Sequence, residues 1–93
     1  MAKKEYRFPS RIAADEAMKR LGPELERLVK KYELERQEVS AREVRLRRSG
    51  VDIVITATDA EVCAVVDLSW LVEGLARDRI EAALNEKVPP LLV

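Results

Sequence analysis

The sequence contains no histidine, one cysteine, and few aromatic residues: one tryptophan, two tyrosines and one phenylalanine. Without histidine the commonest metal ligand and the commonest general base are missing, and a lone Cys63 excludes an intramolecular disulfide or an all-cysteine zinc site. Neither a catalytic residue nor a cofactor is therefore expected. Charge of one sign is also lacking, since seventeen Lys and Arg offset seventeen Asp and Glu, so no net field draws the chain to nucleic acid or anionic lipid. No uncharged run approaches the ~20 residues that cross a bilayer. Met1 to Pro9 (MAKKEYRFP) has no apolar stretch of the ~7 to 15 residues that a secretory signal needs, so the expected address is cytoplasmic.

What is present is a chain of 93 residues and 10.6 kDa that is 47% apolar and 37% charged. That is one small folded domain over residues 1–93, ending in a short apolar tail at 89–93. Lys4 to Phe8 alternates polar and apolar, with Tyr6 and Phe8 on one side, which predicts a first strand stopped at Pro9-Ser10. Ser10 is a plausible N-cap for a helix starting near Arg11. From Ile12, the residues Met18, Leu21, Leu25, Leu28 and Tyr32 recur every three or four positions along one helical face. Gly22-Pro23 interrupts that face without changing its phase, which favours one kinked helix over two separate ones.

Later the period shortens to two. Val44 and Leu46, then Val51, Ile53, Ile55 and Ala57, then Val62, Ala64, Val66 and Leu68 predict three strands joined at Ser49-Gly50 and Asp59-Ala60. If each junction is a two-residue turn, Leu46 faces Ile53 and Val44 faces Ile55, while Ile55 faces Ala64 and Ile53 faces Val66. A slip of one residue would turn one aliphatic row to the opposite side, so turn chemistry and burial pattern select the same antiparallel meander. Leu71, Leu75, Ile80, Leu84 and Val88 then form the stripe of a closing helix, capped by Ser69 or Asp67 and ended by Pro89-Pro90. The expected fold is α+β, in the order β-α-β-β-β-α, with a four-stranded mainly antiparallel sheet and the helices packed on one face.

The sheet face turned away from the helices should carry Arg47, Asp52 and Asp67 in one row, Arg45, Val54 and Val65 in the next, and Glu43, Thr56 and Cys63 in the third. A solvated sheet face is the plain explanation. The sharper one is an interface formed by Val54, Val65, Thr56 and Cys63, rimmed by Arg45 and Arg47, that meets a second copy or another protein. Adjacent Asp52 and Asp67 could form a catalytic pair, but Arg47 in the same row should neutralise them. Arg42, Arg45, Arg47 and Arg48 give a nucleic-acid-binding or regulatory alternative, weakened because alternation divides them between two faces and no aromatic residue stacks beside them. The tail residues Leu91, Leu92 and Val93 either cover a core edge or offer an apolar contact.

The hairpin VRLRRSGVDIVI, with Arg48-Ser49-Gly50-Val51 at its turn, the strand VCAVVDLSWL, and the closing segment LARDRIEAALNEKV, with Arg79-Ile80-Glu81, resemble the polyhydroxyalkanoic acid system protein family. These are small bacterial proteins associated with polyester granules, and the likeness spans roughly residues 4–88. Gly22-Pro23 within the first helix and Asp52-Ile53 in place of the family's glycine after Val51 are departures from its pattern. The resemblance implies a granule setting and no transferable functional residues. Together these features predict a non-enzymatic association domain, acting as a homodimer or by contact with another protein or a polymer-granule surface.

Overall fold

The computed structural model describes residues 2–93, and the side chains of all of these except 2 and 70–76. Seven elements follow in order: β1 (Ala2–Pro9), α1 (Ala14–Tyr32), β2 (Glu35–Ser40), β3 (Glu43–Arg48), β4 (Val51–Ala57), β5 (Glu61–Leu68) and α2 (Trp70–Leu91). The strands form one sheet in the order β1-β5-β4-β3-β2, antiparallel at every pairing. The sheet therefore has five strands, not the four that the sequence predicts. The additional strand, β2, reads ERQEVS and carries no apolar alternation, because as an edge strand it is exposed at all but one position. Arg36 explains the exception: it lies opposite Leu46 on the helix side and reaches Glu26 of α1 at 2.9 Å. An ion pair to a helix stands where an aliphatic contact would otherwise mark a strand.

Both expected hairpin registers hold. Leu46 pairs with Ile53 and Val44 with Ile55, and Ile55 pairs with Ala64 and Ile53 with Val66. Gly50 takes a φ of 84° in the first turn, a conformation that glycine adopts without a Cβ clash. β1 joins the far side of β5 with Tyr6 opposite Ala64 and Phe8 opposite Val62, which extends the apolar row across a fourth strand. The helix-side positions Val44, Leu46, Ile53, Ile55, Val62, Ala64, Val66 and Leu68 are all buried, and with residues of both helices they make a single core. Every buried residue among those described is apolar. The expectation that Leu71 and Leu75 join this core lies outside the described side chains; Ile80, Leu84 and Val88 of the same stripe are buried.

α1 runs unbroken through Gly22-Pro23, with Ala14, Ala17, Leu21, Leu25 and Leu28 buried. Its start corrects the expected Ser10 cap. Ser10 Oγ accepts from the Ile12 N–H and donates to the Ile12 carbonyl, closing a local turn before the helix. The first helical N–H, that of Ala14, donates instead to Asp59 Oδ1 in the β4–β5 turn at 2.9 Å. A carboxylate at a helix N-terminus satisfies an orphan donor and opposes the positive end of the helix dipole. At the other end Glu33 adopts φ 55°, and Arg48 donates to the Tyr32 carbonyl at 2.9 Å, occupying one of the last unsatisfied acceptors.

Pro89-Pro90 does not stop α2, which continues to Leu91. A proline fixes a helix-compatible φ but supplies no N–H, so the carbonyls of Asn85 and Glu86, four residues back, lose their helical donors, a loss confined to the last turn. Ser69 is the N-cap residue but makes no side-chain capping bond. The tail folds onto the body: Leu92 is fully buried, Leu91 is half-buried, and Val93 is 70% exposed. Leu92 accepts from the Arg11 N–H at 2.8 Å, and Arg20 donates to the Leu91 and Val93 carbonyls. No helix among the described residues is long and apolar enough to cross a membrane.

Candidate interaction surface on the outer sheet face

The meander leaves one sheet face uncovered by the helices, and strand pairing sets its composition. Across β1, β5, β4, β3 and β2, one row reads Lys3, Asp67, Asp52, Arg47 and Glu35. The next reads Glu5, Val65, Val54, Arg45 and Gln37, and the third runs Arg7, Cys63, Thr56 and Glu43. Val54, Val65, Thr56 and Cys63 thus form a contiguous central block on β4 and β5, each half-buried by its neighbours. Arg45 lies beside that block and Arg47 at its corner, so the six side chains expected to make an interface share one surface.

Charge surrounds the block in pairs. Arg7 lies 2.6 Å from Glu5 and 2.7 Å from Glu61, Arg45 Nε lies 3.9 Å from Glu43, and Arg47 Nε lies 3.9 Å from Asp52. The last two exceed hydrogen-bond length, and Arg45 Nε and Asp52 Oδ1 are each buried without a hydrogen-bond partner. Unsatisfied buried polar atoms are uncommon in folded proteins and call for an explanation.

Cys63 is held as a thiol. Burial first, and then the Glu5 carboxylate that accepts a hydrogen bond from its S–H at 3.3 Å, push its pKa above the ordinary 9.0. A thiol held protonated is a poor nucleophile at neutral pH. Asp52 and Asp67 are direct neighbours across β4 and β5, as the register requires. They border an open hollow of about 920 Å³ at the β3–β4 turn, together with Arg47 and Arg48. Among the described residues no group of three or more His, Cys, Asp or Glu side chains is arranged to hold a metal ion.

The arginines of β3 and the preceding turn are engaged within the chain. Arg42 lies 3.5 Å from Asp15 and Arg48 lies 3.5 Å from Glu33, in addition to the pairs of Arg45 and Arg47. All four have a carboxylate within reach, and the Arg48 guanidinium also caps α1. Both sheet edges carry charge, with Lys3, Lys4, Glu5 and Arg7 on β1 and Glu35, Arg36 and Glu38 on β2, and β2 has an irregular register between Glu38 and Ser40. Charged and bulged edges discourage strand addition. Comparison of the chain with protein-family models, with curated proteins and with solved structures finds no match.

Proposed function

We propose that this protein is a non-enzymatic association domain that pairs with a second copy of itself through the outer sheet face, in a polyester-granule setting. The observation that carries the dimer is the half-buried Val54–Val65 block, set in a charge pattern that is self-complementary in two of its three rows. A two-fold axis parallel to the strands and passing between β4 and β5 lays β5 of one copy over β4 of the other. Val54 then meets Val65, Glu5 comes opposite Arg45, and Arg7 comes opposite Glu43. An isologous contact needs this kind of self-matching surface. In the remaining row the same axis sets Lys3 toward Arg47 and Asp52 toward Asp67, like charges that weaken the contact. Arg45 Nε, which has no hydrogen-bond partner within one copy, comes opposite the Glu5 carboxylate at such a contact.

Strand geometry sets the expected strength. Four overlapping strands at ~4.8 Å and seven residues at ~3.3 Å give a planar footprint of roughly 440 Å². That lies below the ~800 Å² per partner of a standard stable interface, so the dimer should be weak and concentration-dependent, with Kd on the order of 1–100 μM. The granule setting rests on the resemblance carried by Arg48-Ser49-Gly50-Val51 and Arg79-Ile80-Glu81, and predicts that a fluorescent fusion collects on polyester inclusions. The engaged arginines of β3 weigh against phosphate binding.

Sedimentation equilibrium tests the reading. The wild type should shift from monomer to dimer across this concentration range, whereas Val54→Arg and Val65→Glu should remain monomeric with an unchanged circular dichroism spectrum. A wild type that stays monomeric at ~1 mM removes the proposal.

A further inference from the structure

On the opposite side of the molecule, the two helices and the sheet enclose an apolar cavity of about 200 Å³. Leu21, Leu25 and Leu28 of α1 form one wall, Leu84 and Val88 of α2 the other, and Ile55, Val62 and Ala64 the floor. Two of its lining residues are alanines. Ala64 stands on β5 between Tyr6 and Ile55, and Ala83 stands on α2, where larger aliphatic residues would close the gap. An apolar cavity of ~150 Å³ is large enough to hold benzene, so this one accommodates a somewhat larger apolar group.

The rim is not apolar. Arg27, Lys31 and Lys87 stand around it against one carboxylate, Glu24. Glu24 is committed to Arg27 at 3.3 Å, and Lys87 lies 3.9 Å from Glu86, outside the lining. Lys31 lies over the Tyr32 ring at 5.7 Å, a contact that leaves its ammonium accessible to an anion. Apolar walls with a few convergent charged groups are the usual make-up of a small-molecule site.

We infer that the cavity between α1 and α2 binds a medium-chain monocarboxylate, with its apolar chain between the leucines and its carboxylate at the Lys31, Arg27 and Lys87 rim. The charge balance of the rim selects an anion over a neutral or cationic amphiphile. Filling the cavity also replaces contacts that its lining otherwise lacks, so the ligand should stabilise the fold. The site faces away from the outer sheet surface and does not depend on dimerisation.

Octanoate, 1-octanol and octylamine, all below their aggregation limits, serve as probes in isothermal titration calorimetry and amide chemical-shift mapping. Octanoate should bind with Kd on the order of 0.1–1 mM, more tightly than octanol, with octylamine weakest. Lys31→Glu should weaken octanoate about tenfold and leave octanol within about twofold. Ala83→Leu, at a half-buried rim position, should abolish shifts from both; if it unfolds the chain, the Lys31→Glu comparison still decides the matter. Three results would each overturn the inference: no saturable octanoate binding at 10 mM, equal affinities for octanoate and octanol, or shifts confined to residues outside α1, α2 and β5.

Discussion

Asp59 should stabilise this fold from a position 45 residues away from the helix it caps. Asp59→Ala removes the acceptor of the Ala14 N–H, and loss of an N-cap acceptor typically costs ~1 kcal/mol. It also removes a negative charge from the helix N-terminus, which adds roughly 0.3–1 kcal/mol. The sum, about 1.5 kcal/mol, corresponds to a fall in Tm of roughly 9 °C for a domain of this length. Asp59→Asn keeps an oxygen acceptor and loses only the charge, so its cost should be about 0.5 kcal/mol, or roughly 3 °C. Urea and thermal denaturation followed by circular dichroism separate the two contributions. The difference between wild type and Asp59→Asn should shrink in 1 M salt, where the screening length is ~3 Å, while the gap between Asn and Ala persists. Ser10→Ala is the control, because the Ser10 hydroxyl bonds Ile12 before the helix begins while the Ser10 N–H keeps its bond to the Ala60 carbonyl, and it should cost less than ~0.5 kcal/mol. If Ser10→Ala costs more than Asp59→Ala, or if Asp59→Ala falls within ~0.3 kcal/mol of wild type, the cap across the fold is refuted.

Two other substitutions test the helices and their contact with β1. Gly22→Ala should leave stability within about 0.5 kcal/mol of wild type in the same urea titration: beyond its two chain neighbours a Cβ there meets nothing within 4 Å, which favours alanine in the helix, but the ring of Pro23 crowds a Cβ on the helical residue before it. Tyr6→Phe removes the hydroxyl that donates to Glu81 at 3.0 Å and should cost about 1 kcal/mol near neutral pH. Burial, followed by the Glu81 hydrogen bond and charge, raises the Tyr6 pKa above 10.0, so the folded state holds the phenolic proton more tightly than the unfolded state. That contribution is complete below pH 10 and is lost as pH climbs through the folded value, so the advantage of wild type over Tyr6→Phe should narrow in alkaline urea titrations. An advantage that widens above pH 10 would contradict this.

How much was legible in the chain follows from where each signal resides. The β3–β4–β5 registers could be read because aliphatic residues of period two and two short turns constrain the same pairing from different directions. β2 could not, because its helix-facing residues are Arg36 and Glu38, whose order comes from pairing with β3 and from Glu26 on α1. The cap of α1 was hidden for a related reason: Ser10 lies nearby in sequence, but the acceptor comes from a distant turn. On the outer face, alternation alone placed Val54, Val65, Thr56, Cys63, Arg45 and Arg47 together. The helix-side cavity escaped notice because its leucines read as ordinary core. The available signal was subtractive, an alanine at position 64 within the aliphatic row of β5 and another at 83 beside the Ile80, Leu84 and Val88 stripe.

Charge reversal across the proposed two-fold axis tests self-association most directly. Within one copy Glu5 and Arg45 are separated by three strand spacings, ~14 Å, which exceeds the screening length of ~8 Å at physiological salt, so they scarcely interact. Across the dimer they should meet. Sedimentation equilibrium of Glu5→Arg, Arg45→Glu and the double variant should show both single changes weakening the dimer and the combination restoring it to within about twofold of wild type. Losses that simply add in the double variant would contradict the pairing and, with it, the outer sheet face as the surface of association.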